Sequence, residues 1–297
     1  MHPKLFPIPF TGIYVPAYGM MLMVGFLLAV WMARRRAAAL GIEKIEIFDM
    51  GIFAIIGGVL GARLLHVLVY WPDYFASRKL WPEWMGSLGW LGAVVATWNG
   101  GLVFYGGLAG GMLALWLFVR RRKIPLIDVF DFVAAPAAVG LALTRVGCFL
   151  NGCCFGRASE LPWAVTYPDR SPVYSYLDES GQLGHHAPFP VHPAQLYETL
   201  AALAMAALIW WLIYPRRKFA GQAAFAFGLL YAAWRFANEF LRGDTFAGGP
   251  SLTNLTVFQY ISIGLVLAFG AAYLVAWKLR RAPFSPVPPA ETGEQRP

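Results

Sequence analysis

Apolar residues come along this chain in long runs of about twenty, divided by short clusters of arginine and lysine, rather than on one face of short elements. Seven such runs cover 17–33, 47–70, 101–119, 126–147, 194–214, 221–241 and 255–277. A helix needs about 20 residues to cross a hydrocarbon core, so each run predicts a transmembrane helix. The pattern therefore predicts an all-α, polytopic membrane protein with about seven spans. Two of the runs, 126–147 and 221–241, carry charges that a lipid-facing helix would not.

The basic clusters set the expected orientation. Arg34, Arg35 and Arg36 follow the first run, Lys44 precedes the second, and Arg120, Arg121, Arg122 and Lys123 follow the third. Arg216, Arg217 and Lys218 follow the fifth run, and Lys278, Arg280 and Arg281 follow the seventh. Fourteen of the 24 basic residues thus fall on alternate, short connections, which the positive-inside rule places in the cytoplasm. The N-terminus and the connections 71–100, 151–193 and 242–254 are expected outside. The net charge of +8 is then mostly topology, and with no basic face or interleaved aromatics it does not predict a nucleic-acid partner.

Composition supports this class. Hydrophobic residues reach 58% and charged ones only 13%, about half the share usual in soluble proteins. Residues 1–16 hold one lysine and four prolines with no small-residue cleavage site, so the first run is expected to stay as an anchor. Residues 1–281 are expected to form one membrane domain, with 151–193 as its outer loop region. The Pro-rich segment 282–297 is expected to be a disordered cytoplasmic tail.

Polar groups inside the runs are few, and each charge at a helix centre costs about 2.5–3.5 kcal/mol on insertion scales. They are Arg63 and His66 in the second run, Asp128 and Asp131 entering the fourth, and Arg145 leaving it. Tyr197 and Glu198 begin the fifth run; Arg235, Glu239 and Arg242 share one face of the sixth. Arg145 and Arg235 lie in the expected outer halves of separate helices. Two such guanidiniums suit a clamp on a phosphate's paired oxygens. The plainer alternatives are snorkelling to the interface and, for Arg235, an intrahelical pair with Glu239. Asp128 and Asp131 suit a helix N-terminus, with an inward basic partner as a second possibility for Asp131.

The stretch NGGLVFYGGLAGG at 99–111 fits close helix packing, or a thin wall where lipid or peptide approaches backbone; Tyr105 is its only ionisable group. Cys148, Cys153 and Cys154 follow Arg145 in a C-x4-C-C spacing unlike the paired spacing of zinc sites, and His185 and His186 are distant. No metal and no cofactor is expected. A disulfide is possible but unforced. In PVHPAQLYE, at 190–198, His192 fits a structural role, while Gln195, Tyr197 and Glu198 crowd one helix start.

Taken together, the motifs resemble the prolipoprotein diacylglyceryl transferases of bacterial inner membranes. TRVGCFLNGCCFGR resembles the family signature, and HPAQLYE its His-Pro-x-Gln-x-Tyr-Glu element. YAAWRFANEFLR is similar to its Tyr-x-x-x-Arg-x-x-x-Glu-x-x-Arg helix, and VFYGGLAGG to its Gly-rich third span. PAYGMML and FQYISI also fit, in order, from about residue 15 to 281.

The resemblance implies transfer of the diacylglyceryl group of phosphatidylglycerol to the lipobox cysteine thiol of a preprolipoprotein. A thioether forms and glycerol phosphate leaves, with membrane lipid and signal peptide as partners. Carried over residue by residue, Arg145 and Arg235 match the arginines for the phosphate, and Asn151 and Gly156 match signature positions. Tyr18, Glu198, Tyr231, Glu239 and Arg242 match further site positions, and Asp131 matches a family aspartate.

Two departures stand out. Tyr105 occupies the place of a histidine that is the usual candidate for taking the thiol proton. Tyrosine, with a pKa near 10, is a poor base, which leaves Tyr105 to position the thiol or a phosphate oxygen. A substrate phosphate oxygen or Glu198 is then left to accept the proton. Cys148 replaces an asparagine, and Cys153 an acidic residue. Two other functions remain open on sequence: the same fold acting on a different thiol or hydroxyl, and a transporter for an anionic solute.

Overall fold

The computed structural model describes residues 4–7, 14–41, 43–70, 103–168, 171, 173–174, 189–244 and 255–283. The connection 71–100, His185, His186, residues 245–254 and the tail from residue 284 lie outside these, as does the Tyr105 side chain. Seven α-helices are described: α1 (Ala17–Arg34), α2 (Lys44–Val69), α3 (Phe104–Arg120), α4 (Leu126–Asn151), α5 (Ala194–Leu208), α6 (Gln222–Glu239) and α7 (Val257–Leu279). A short antiparallel ribbon, β1 (Lys4–Pro7) with β2 (Tyr14–Pro16), precedes α1. The hydrophobic pattern carried no signal for it.

Every apolar run holds one of these helices. The fifth run does not stay α-helical: a π turn at Ile209–Ile213 and a 3₁₀ turn at Tyr214–Arg216 extend α5. Among the described residues, five segments can cross a membrane by length and composition: α1, α2, α4, Ala194–Arg216 and α7. The helix at α3 is apolar but shorter. The protein is thus an all-α membrane protein.

The chain forms two compact units, one from residues 1–36 and 127–285 and the other around 37–126. In the first, α4 is the central helix: 56% of its most apolar window is buried, against 6% for α7. Small residues let α1 approach it. A Cβ added at Gly25 would sit 3.2 Å from the Gly140 carbonyl oxygen, and one at Gly147 would sit 3.2 Å from the Tyr18 Cα. This is the small-residue packing common between membrane helices.

Asp131 is buried, and its role is structural. Its Oδ2 accepts the Gly221 N–H and its Oδ1 the Ala224 N–H, both at 2.8 Å. These are orphan donors at the start of α6, so a carboxylate on α4 caps a neighbouring helix and meets its positive dipole end. The basic residues at the chain's helix ends rest on aromatic rings: Arg36 lies 3.7 Å from the Trp210 ring centroid and donates to the Trp210 carbonyl at 2.6 Å. Arg217 likewise lies over Tyr214.

In the second unit α2 and α3 meet through glycine. An ideal Cβ on Gly61 would fall 2.3 Å from the Gly106 carbonyl oxygen, and one on Gly110 would fall 2.2 Å from that of Gly57. Only hydrogen fits at those positions, so the glycines of the third run serve helix packing. Glu43 and Glu46 form a capping box at the start of α2, and Glu46 pairs with Arg122.

Candidate active site

The polar cluster is built where α4 ends. Arg145 sits six residues before that end, with its side chain largely buried, and its Nε lies 3.0 Å from Glu198 Oε1 on α5. The Arg145 Nε–H has no aligned hydrogen-bond acceptor among the described residues, so this contact is a Coulombic pair rather than an aimed hydrogen bond. Tyr231 on α6 donates its hydroxyl to the same Glu198 oxygen at 3.0 Å. Three helices thus converge on one buried carboxylate. Glu198 is 1% exposed, a position tolerable for an ionised group only because it is paired and hydrogen-bonded.

The chain then turns sharply. Gly152 takes φ +78°, and both Gly152 and Cys153 donate their N–H groups to the Cys148 carbonyl, at 2.9 and 3.1 Å. This left-handed close of the helix, which glycine adopts at no steric cost, swings the next residues back toward it. Cys154 is also left-handed, at φ +61°, a conformation costly for a residue with a Cβ. The sulfurs of Cys148, Cys153 and Cys154 end within 4.8 Å of one another. Hydrogen bonds from the other two thiols hold the Cys154 thiol below its ordinary pKa; burial opposes them and the Arg242 and Arg145 charges add to them. Asn151 hydrogen-bonds Cys153, and the Cys153 thiol donates to the Cys148 carbonyl at 3.8 Å.

Arg242 arrives from beyond α6. Its Nε and Nη2 donate to Asp244 Oδ1 and Oδ2 at 2.9 and 2.7 Å. That fork uses two of five guanidinium donors. Burial works against the Arg242 charge, but Asp244 and Cys154 more than offset it, and its pKa is raised. Gly156 positions this segment. Its N–H donates to the His192 carbonyl, and the flanking Arg157 and Gly243 bond Leu241 and Phe155. A Cβ at Gly156 would fall 2.5 Å from His192 Cβ and 2.8 Å from the Leu241 carbonyl oxygen.

Glu239 is buried, paired with Arg235 in the same helix, and accepts the Thr256 hydroxyl at 2.9 Å. Thr256 in turn caps α7. Arg235 also lies 5.3 Å from the Phe258 ring, so its contacts run toward α7 while those of Arg145 run to Glu198. Tyr18 is 39% exposed in the first turn of α1, within the field of Arg145 and the three thiols. Tyr105 lies in the first turn of α3.

Two contributors were not among the expected site residues. Gln195 is 1% exposed and donates through Nε2 to the Cys153 carbonyl at 2.7 Å and the Tyr167 hydroxyl at 2.9 Å. It fastens the cysteine turn to α5; its crowding with Tyr197 and Glu198 was the available signal. Asp244 holds Arg242 from two residues away, a spacing visible in the sequence.

Fold and cluster define a helical membrane protein with two buried guanidiniums and three thiols at one polar site. The family model described as prolipoprotein diacylglyceryl transferase matches residues 3–277. A phosphatidylglycerol–prolipoprotein diacylglyceryl transferase of Nitratidesulfovibrio vulgaris is 36% identical over 267 residues, covering 89% of this chain and 88% of that one. Enzymes of the same name from Cupriavidus pinatubonensis and Chromohalobacter salexigens are 32% and 35% identical, the former over all of this chain and 97% of its own length. The chain belongs to the prolipoprotein diacylglyceryl transferase family.

Proposed function

We propose that this protein transfers the diacylglyceryl group of phosphatidylglycerol to the lipobox cysteine thiol of preprolipoproteins, releasing glycerol phosphate. Family membership supports the reaction. The observation that carries it to these residues is the Arg145–Glu198–Tyr231 knot, which lies in the same electrostatic field as Arg242 and the thiols. The protein works as a multi-pass protein of the bacterial inner membrane with seven spans, N-terminus outward and C-terminus cytoplasmic. The pattern of basic connections supports that orientation.

Arg145 and Arg242 hold the anionic headgroup. Glu198 and Asp244 fix the orientation of the two guanidiniums while leaving donors for phosphate oxygens. As the glyceryl C–O bond breaks, charge gathers on the phosphate of the leaving group. Preplaced cations in a poorly hydrated site stabilise that charge more than they stabilise the bound lipid. Arg235 contributes a further positive charge, and Tyr18, Asn151 and Tyr231 stand beside the guanidiniums and thiols. Glu239 and Gly156 hold the elements in place.

Purified protein incubated with phosphatidylglycerol and a lipobox peptide should give a thioether-linked product by mass spectrometry. A serine peptide should give none. Lipid turnover with no product on the cysteine peptide would transfer the assignment to another acceptor.

A further inference from the structure

The three cysteines lie in a C-x4-C-C spacing that has no paired rhythm along the chain, yet the turn at Gly152 folds that spacing into a single sulfur cluster. Each of the three offers a sulfur, and all three sulfurs lie within 4.8 Å of one another. A tetrahedral zinc site with bonds of about 2.3 Å needs neighbouring sulfurs about 3.8 Å apart, a difference that small side-chain rotations close. The framework around them is fastened. Gln195 holds the Cys153 carbonyl, Cys148 is part of the last turn of α4, and Gly156 pins the segment that follows.

We propose that Cys148, Cys153 and Cys154 form a three-sulfur seat for a zinc ion whose fourth position takes the acceptor thiol. The catalytic half of this rests on the transferase reading above. Three protein ligands with one open position is the arrangement of catalytic rather than structural zinc. Sulfur ligands suit a soft, redox-inert cation. Three thiolates and Zn²⁺ carry one negative charge and a bound acceptor thiolate adds a second; Arg145 and Arg242, paired with Glu198 and Asp244, stand in the same field.

The reaction has a need that this site meets. A cysteine thiol with a pKa near 8.5 must lose its proton to become a nucleophile. Near the cluster, Glu198 is already engaged by Arg145 and Tyr231, and His192 is 3.2 Å from the Tyr197 hydroxyl. Zinc lowers the proton affinity of a sulfur it binds. On binding, the acceptor S–H proton leaves to water. A sulfur lone pair then forms the S–C bond to the glyceryl carbon, the C–O bond to phosphate breaks, and its electron pair departs on glycerol phosphate. The product thioether is neutral and a weaker ligand, so it leaves the metal.

The test uses the full chain, purified in detergent without chelator, with zinc measured by mass spectrometry of the metal. About one zinc per chain is expected in the wild type, falling at least about tenfold in Cys154→Ser and Cys148→Asn. Cys148→Asn guards against misfolding, since asparagine is the residue the family signature carries there. Cobalt exchanged for zinc should give a thiolate charge-transfer band that shifts when a lipobox cysteine peptide is added and does not shift with its serine counterpart. A high-affinity chelator should remove transfer, and zinc should restore it. Full transfer by metal-free wild type, indifferent to chelator, overturns the proposal and leaves the transferase reading intact. Zinc bound without a peptide-dependent shift overturns the open fourth position. A shift with no diacylglyceryl transfer keeps the metal and thiol seat but overturns the transfer step and the transferase reading with it.

Discussion

Asp131 and Arg145 are ionisable residues on one helix, fourteen residues or about 21 Å apart, and they are handled in opposite ways. Asp131 spends both carboxylate oxygens on backbone N–H groups of α6. Its charge is absorbed by main chain, and nothing is left to offer a ligand. Arg145 faces a single carboxylate through an unaligned Nε contact, beside thiols and a second guanidinium. A buried charge saturated by backbone serves the fold. A buried charge confined by one side chain, with donors left over, serves chemistry.

The strongest test of that contrast is Arg145→Ala. Removing a preplaced cation should lower kcat/KM by about a thousandfold, or about 4 kcal/mol, and should also lower the thermal midpoint, because buried Glu198 loses its paired charge. Arg145→Lys should recover little, because a point charge does not replace a planar fork. A rate near wild type in the lysine variant would reduce the site to simple charge attraction.

Asp131→Ala is the mirror image. It leaves α6 uncapped and should cost about 2–3 kcal/mol of stability, read in chemical unfolding, while the turnover of the protein still folded stays within about twofold. A selective loss of turnover would erase the distinction between the two ends of α4.

Tyr231→Phe removes one of the two groups that hold Glu198. A loss of about 1–1.5 kcal/mol, close to tenfold in rate, is expected. A loss matching that of Arg145→Ala would make Tyr231 a direct participant.

Arg36→Ala should matter least. It breaks a stacked contact with Trp210 at about 0.5–1 kcal/mol of stability and does not touch transfer.

Much of the fold was legible because lipid imposes a single rule: the apolar runs had to be helices, and each one holds a helix. The small ribbon before α1 and the π turn after α5 were not legible, since neither changes the hydrophobic pattern. At the site, Arg145 and Glu198 could be selected from sequence because polar groups in apolar runs are conspicuous, and Tyr231 through the family resemblance of its helix. Their convergence on one carboxylate could not, as it depends on how α4, α5 and α6 pack. Asp131 was expected at a helix N-terminus, but the helix it caps is α6 rather than its own, a contact ninety residues away in sequence. The cysteine cluster was obscured by its linear spacing. The glycine at 152 was the available signal, since a left-handed residue after a helix reverses the chain.

The seam at Gly156 has a consequence for how this protein can diverge. It joins residues 155–157, 192 and 241–243 mainly through peptide groups, with one side-chain bond from Arg157 Nε to the Arg242 carbonyl at 3.3 Å. Residue 241, which enters the seam only through its main chain, can drift while Arg242 stays aimed, whereas even one methyl group at 156 would pry the three segments apart. Phe155, packed against Tyr167, Val173 and Val191, is fixed by the core, so mutational tolerance along this rim should fall abruptly at 155 and 156.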